Sequence, residues 1–106
     1  MDKDELIKRY AEGERVFAIA DFSTKDLSHI DLSGTDFGGA NLTGCILKGA
    51  NLSNFTNLKG ADLRFANLSG ANMRDIDLSG ADLRKANLSN ADLRHAELRG
   101  TDFRYA

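Results

Sequence analysis

The sequence predicts an all-β solenoid of square cross-section, and three observations carry that expectation. A central Leu, Phe or Met recurs at every fifth residue from Phe17 to Phe103, and the step widens to six once, between Leu52 and Leu58. Most central residues follow an Asp or Asn and, one place earlier, a small residue, so that Ala81 to Tyr105 reads as the words ADLRK, ANLSN, ADLRH, AELRG and TDFRY. A slower twenty-residue rhythm brings Arg64, Arg84 and Arg104 into line, as it does Arg74 and Arg94, which makes four words one circuit.

A five-residue step fits no regular element. On a helix it would rotate successive central residues by about 140° and smear the apolar face, and on a strand it would send alternate ones to opposite sides. The chain must therefore turn within every word. Four turns per circuit stack square coils about 4.8 Å apart, each paired to the next through its backbone. The central residues then form four interior columns: Phe17, Phe37, Leu58, Leu78 and Leu98; Phe22, Leu42, Leu63, Leu83 and Phe103; Leu27, Leu47, Leu68 and Leu88; Leu32, Leu52, Met73 and Leu93. The small residues must point inward too, because little more than a methyl fits beside a stacked Leu. Cys45 occupies such a place and is read as a small buried filler. The Asp and Asn before each central residue are assigned to bonding turn amides. Gly or Asn two places after the central residue, at Gly39, Gly49, Gly60, Gly70, Gly80, Asn90 and Gly100, marks every second word and predicts two alternating kinds of corner.

Ahead of the repeats, Asp2 is a good N-cap, Glu5 completes a capping-box pattern, and Gly13 supplies a stop, which predicts a helix from about Lys3 to Glu12. Leu6, Ile7 and Tyr10 would share a face laid over the first coil. The 106 residues are thus read as one domain, with a helical cap over 1–14, a β-helix over 15–106 and a one-residue bulge near 53–57. At the bulge, Phe55 or Thr56 either is pushed outward as a recognition feature or packs where Ala would sit. Lys25, in another Ala position, predicts an irregular first coil with its amine reaching solvent or a carboxylate near the cap, or else a site beneath the cap.

The A-(D/N)-L-x-x word, running in register from Ala20 to Ala106, resembles the pentapeptide-repeat family over about four-fifths of the chain. The resemblance implies a right-handed quadrilateral β-helix, here of about 4.5 coils, often capped by an N-terminal helix. It also implies no shared active site: known members include gyrase-binding DNA mimics, a regulator of heterocyst differentiation and many cyanobacterial proteins of unknown role.

Composition narrows the function little. A formal net charge of −2 and 28% charged residues give no reason to expect a nucleic-acid binder. The single cysteine precludes an internal disulfide, the N-terminus lacks a signal-peptide run, and no stretch approaches the length of a membrane span, so a cytoplasmic location is expected. No nucleophile, base and orienting group converge, and no cofactor or metal motif is present: GTDFGG over 34–39 lacks the strand-to-helix setting of a phosphate loop, and His29 and His95 fall on different faces. The one surface with shape holds Arg64, Arg84 and Arg104 beside Phe65, Lys85 and Tyr105. It is either a solvated ladder in which the arginines pair with Asp62, Asp82 and Asp102, or an interaction patch, since Arg and aromatic residues anchor interfaces. At the C-terminus, Leu83, Leu88, Leu93, Leu98 and Phe103 lie near an open coil, predicting end-to-end dimerisation or closure by Phe103 and Tyr105 folding over it. The function expected is a non-enzymatic protein-binding scaffold or regulatory module with an unidentified protein partner. A DNA-mimicking gyrase binder is the alternative, disfavoured by the near-neutral charge.

Overall fold

The computed structural model describes residues 1–106, with outer dimensions of 35 × 25 × 24 Å. After one helix, the chain winds as a quadrilateral β-helix whose coils are joined by isolated parallel bridges from Val16 with Asp36 to Asp82 with Asp102, pairing residues 20 apart, or 21 apart where the bridge spans the inserted residue. No long strand forms, because the chain turns within each five-residue word and leaves one bridging residue per side. Between the first coil and the last, and outside the insertion, the words repeat one pattern of bonds. The Leu63 amide donates to the Asp82 carbonyl at 2.7 Å, the Phe65 amide to Arg84 at 3.1 Å, and the Ala66 amide closes the corner on the Leu63 carbonyl at 3.0 Å.

The central residues fill the interior with Ala40, Cys45, Ala50, Ala61, Ala66, Ala71 and Ala81 between them. Burial raises the Cys45 thiol pKa to about 12, so it is an inert filler. Thr35 and Thr56 stand in small-residue places, and both satisfy their hydroxyls on the backbone, Thr35 on the Leu32 carbonyl at 2.6 Å and Thr56 on that of Ser53 at 2.9 Å. Lys25 is exposed, and its coil keeps the regular pattern rather than the irregular one expected: its amide donates to Phe22 at 3.1 Å, and its carbonyl accepts from Ile46 at 2.9 Å. A side chain that leaves the interior at its own Cβ needs no distortion of the backbone.

Outside the insertion, the corners do not alternate between two kinds at this position. Every word places the residue two after its centre at positive φ, whether it is glycine, as at Gly60 (φ 63°), or not, as at Phe65 (62°), Asp75 (59°) and Lys85 (62°). The glycines, in four consecutive words at Gly34, Gly39, Gly44 and Gly49 and in alternate words only from Gly60, record where this conformation is relieved of strain, not where it occurs. Ile19 is the extreme case, β-branched at φ 54° and 83% exposed. Ile19→Asn is therefore expected to raise stability by about 1 kcal/mol, read as a higher melting temperature, since Asn tolerates this region and little apolar burial is lost.

At the insertion, pairing shifts from 20 to 21 residues, as in Asp36 with Asn57, and returns to 20 at Asn57 with Asp77. Asn54 and Phe55 both take positive φ (62° and 63°). Thr56 takes the interior place, and Phe55 turns outward, 76% exposed.

Helix α1 (Lys3–Ala11) begins at Asp2, whose side chain accepts the Glu5 amide at 2.9 Å. Only half of the capping box forms, because the Glu5 carboxylate turns to Arg9 at 2.9 Å. Leu6 is fully buried, while Ile7 is 44% exposed and does not share its face. Leu6 joins the core, with Tyr10 packed against it, and two polar contacts flank this apolar seat: Lys3 Nζ donates to the Ser28 carbonyl at 2.7 Å and Tyr10 Oη to the Ser33 carbonyl at 2.9 Å. In the last coil Leu98 is 38% exposed, Phe103 stays in its column, and Tyr105 projects outward at 84% exposure. Phe103 and Tyr105 thus do not fold over the end: Tyr105 is a corner residue at φ 61°, which directs it away from the axis.

Candidate interaction surface

One face of the rod is built by the words centred on Leu63, Leu83 and Phe103. In each, the aspartate before the centre accepts the amide of the arginine after it, Asp62 from Arg64 and Asp82 from Arg84 both at 3.1 Å, and so fixes the turn. The arginine then folds back onto the same carboxylate in a two-point contact. Arg64 Nε reaches Asp62 Oδ1 at 2.9 Å and Nη2 reaches Oδ2 at 2.7 Å, and Arg84 on Asp82 and Arg104 on Asp102 repeat the geometry. Longer contacts of 3.9 Å, Arg64 to Asp82 and Arg84 to Asp102, link one coil to the next. The ladder thus forms. It also holds three guanidinium groups in fixed, outward positions, because the carboxylates lie beneath them: side-chain exposure is 42% and 40% for Arg64 and Arg84 against 32% and 28% for Asp62 and Asp82.

Beside the arginines stand the corner residues Phe65, Lys85 and Tyr105, directed outward by their positive φ. Phe65 is 58% exposed, and Lys85 leans back so that Nζ is 5.3 Å from the centre of its ring. No carboxylate lies within ion-pair distance of Lys85, whereas each of the three arginines has one. Together Arg64, Phe65, Arg84, Lys85, Arg104 and Tyr105 line a shallow groove of about 210 Å³. The structure thereby gathers all six residues singled out in the sequence along one edge.

Hydrogen bonds from the arginines hold these carboxyls below the usual range, Asp102 at about 2, and raise the arginines in turn. Asp92, gripped by Arg94 on a second face, is likewise at about 2. A carboxyl whose folded pKa is depressed adds stability above its unfolded pKa of about 3.9 and loses it as pH falls through the folded value. Unfolding midpoints in urea are therefore expected to stay level from neutrality to about pH 5 and to fall between about pH 4 and 2.

A second, larger groove of about 420 Å³ lies at the bulge, lined by Phe55, Asn57, Asp75, Ile76, Asp77, His95 and Glu97. The twenty-residue bridges stack Asn57, Asp77 and Glu97, and the outward Phe55, one of the two residues the sequence offered as a recognition feature, adds an aromatic wall beside them. Lys59 Nζ, 3.7 Å from Asp77, is the only basic group paired with its carboxylates.

A family model described as pentapeptide repeats matches this chain in 8 copies over residues 20–56, 56–93 and 71–106. Among solved structures, the pentapeptide repeat protein Rfr23 from the cyanobacterium Cyanothece 51142 is 35% identical with a TM-score of 0.80, over 83% of this chain and 60% of that one. The chain therefore spans less than two thirds of the length of Rfr23. The pentapeptide repeat protein alr5209 from Nostoc Pcc 7120 is 38% identical over 96% of this chain and 75% of that one, with a TM-score of 0.46. One from the Arabidopsis thaliana thylakoid lumen, AT2G44920, is 30% identical over 83% and 64%, with a TM-score of 0.48. No curated protein matches.

Proposed function

This chain belongs to the pentapeptide-repeat family of right-handed quadrilateral β-helices, and we propose that it is a non-enzymatic scaffold or regulatory module that binds a partner protein through the Arg64–Tyr105 groove. The observation that carries the proposal is the immobilisation of Arg64, Arg84 and Arg104 beside exposed aromatic rings. Arg, Tyr and other aromatic residues dominate binding energy at interfaces, and side chains already fixed before contact lose less entropy on binding. A rigid rod whose coils repeat the same bonds offers such a surface without rearrangement.

No helix is long and apolar enough to cross a membrane, and the buried free thiol of Cys45 suits a reducing compartment, so the cytoplasm is the location we assign within this proposal. Mimicry of DNA by a gyrase binder would call for an unbroken acidic face. Here the guanidinium groups stand outside the carboxylates, and the acidic corner at Asp75, Asp77 and Glu97 is interrupted by Lys59. Arg84→Glu tests the reading directly. Tagged protein is used for affinity capture from native lysate with mass spectrometry, and the variant is expected to lose the captured partner while keeping its circular dichroism spectrum. Unchanged capture would remove the groove from the binding surface.

A further inference from the structure

The groove also carries information about what it binds. Its three arginines and three aspartates sum to zero, and Lys85 adds one uncompensated positive charge. The layering matters more than the sum. Each arginine spends Nε and one Nη2 hydrogen on its own aspartate, which leaves Nη1 without a protein partner on a side chain more exposed than the carboxylate it grips. An approaching chain therefore meets cationic donors first.

The spacing is equally specific. Phe65 and Tyr105 occupy equivalent corners two coils apart, about 9.6 Å at a coil spacing of about 4.8 Å, with Lys85 on the coil between them. A polyproline II segment presents the same face every third residue, about 9.3 Å apart, nearly in step with the two rings. Same-face residues of a β-strand recur at about 6.7 Å and fall out of register. Grooves lined by aromatic residues are the usual receptors for polyproline II segments.

Resting on the proposed docking role, we infer that the groove takes an acidic, proline-rich segment of the partner in polyproline II conformation. Prolines pack on Phe65 and Tyr105, and a carboxylate between them meets Lys85 and the free Nη1 of Arg84.

Fluorescence anisotropy with labelled synthetic peptides tests this on the whole protein. A (Glu-Pro-Pro) repeat peptide is expected to bind, a (Lys-Pro-Pro) repeat to fail, and a (Glu-Gly-Ser) repeat of equal charge to bind more weakly. Lys85→Glu should weaken the (Glu-Pro-Pro) peptide about tenfold or more, and Phe65→Ala several-fold, while Arg94→Gln on the other face leaves it unchanged. Both groove substitutions are at exposed corners, and an unaltered circular dichroism spectrum confirms that they fold. Preference for the lysine peptide or for a single-stranded oligonucleotide, or indifference to Lys85→Glu, overturns the acidic assignment. Equal binding of the glycine-serine peptide overturns the polyproline II assignment. If the peptide results fail while Arg84→Glu still loses the lysate partner, the docking surface stands and only its ligand class falls; if Arg84→Glu also changes nothing, the groove is not the docking surface.

Discussion

Leu68→Asp is expected to abolish the cooperatively folded state, leaving no thermal transition by circular dichroism. Leu68 is fully buried in a column between Leu47 and Leu88, and no buried side-chain nitrogen or oxygen anywhere in the protein lacks a hydrogen-bond partner. The amides nearest the new carboxylate are already committed: that of residue 68 donates to Asn87 at 2.7 Å, and that of Ala71 to the residue 68 carbonyl at 3.1 Å. The substitution gives up about 1.5–3 kcal/mol of apolar burial and adds several kcal/mol for an unpartnered buried charge, against a typical total of about 5–15 kcal/mol. Leu98→Asp is the control. The same change at a site 38% exposed lets the carboxylate reach water and should cost only about 1 kcal/mol. A Leu68→Asp protein that kept the wild-type melting temperature would mean that the interior is not closed.

The contrast between these two leucines also marks what the sequence could reveal. Interior columns were legible because an exact repeat leaves only one way to bury a residue at every fifth place, and a single six-residue step locates the bulge without ambiguity. Corner conformation was not legible from glycine placement. A residue such as Lys85 is held at positive φ by its rungs to neighbouring coils, its amide donating to the Arg104 carbonyl at 3.0 Å, so tertiary bonding overrides the local preference. The six groove residues could be named from their twenty-residue spacing, but not the two-point contacts that fix the arginines, because side-chain direction at a turn depends on the amide that Asp62 or Asp82 has already captured. The bulge groove was only half legible: an outward residue could be expected there, but not which of two adjacent residues, Phe55 or Thr56, takes the interior place, nor the carboxylates beside it. Thr56 takes it because its hydroxyl can bond the Ser53 carbonyl and accept the Gly34 amide at 3.0 Å, whereas a benzyl group is too large for a space that alanine fills elsewhere.

Phe37→Ala should produce the other large loss, about 3–5 kcal/mol, and a localised one. Phe37 is the centre of an aromatic trio, stacked on Phe17 at 5.5 Å and edge-on to Phe22 at 5.5 Å, where the later coils use leucine. Alanine leaves a cavity and removes both aromatic contacts, each worth about 0.5–1.5 kcal/mol. Phe37→Leu should cost much less, roughly 1.5 kcal/mol, because Leu58 and Leu78 fill the same column with complete burial. In a rod where each coil touches only its neighbours, damage spreads by nearest-neighbour contacts. Hydrogen exchange should therefore accelerate at the Phe22 and Leu42 amides, which donate to Asn41 and Asp62, while the Leu83 amide on Asp102 keeps its protection. Uniform acceleration along the rod would instead show that all the coils open as one cooperative unit, and Lys85 and its groove would then share the stability of the aromatic trio.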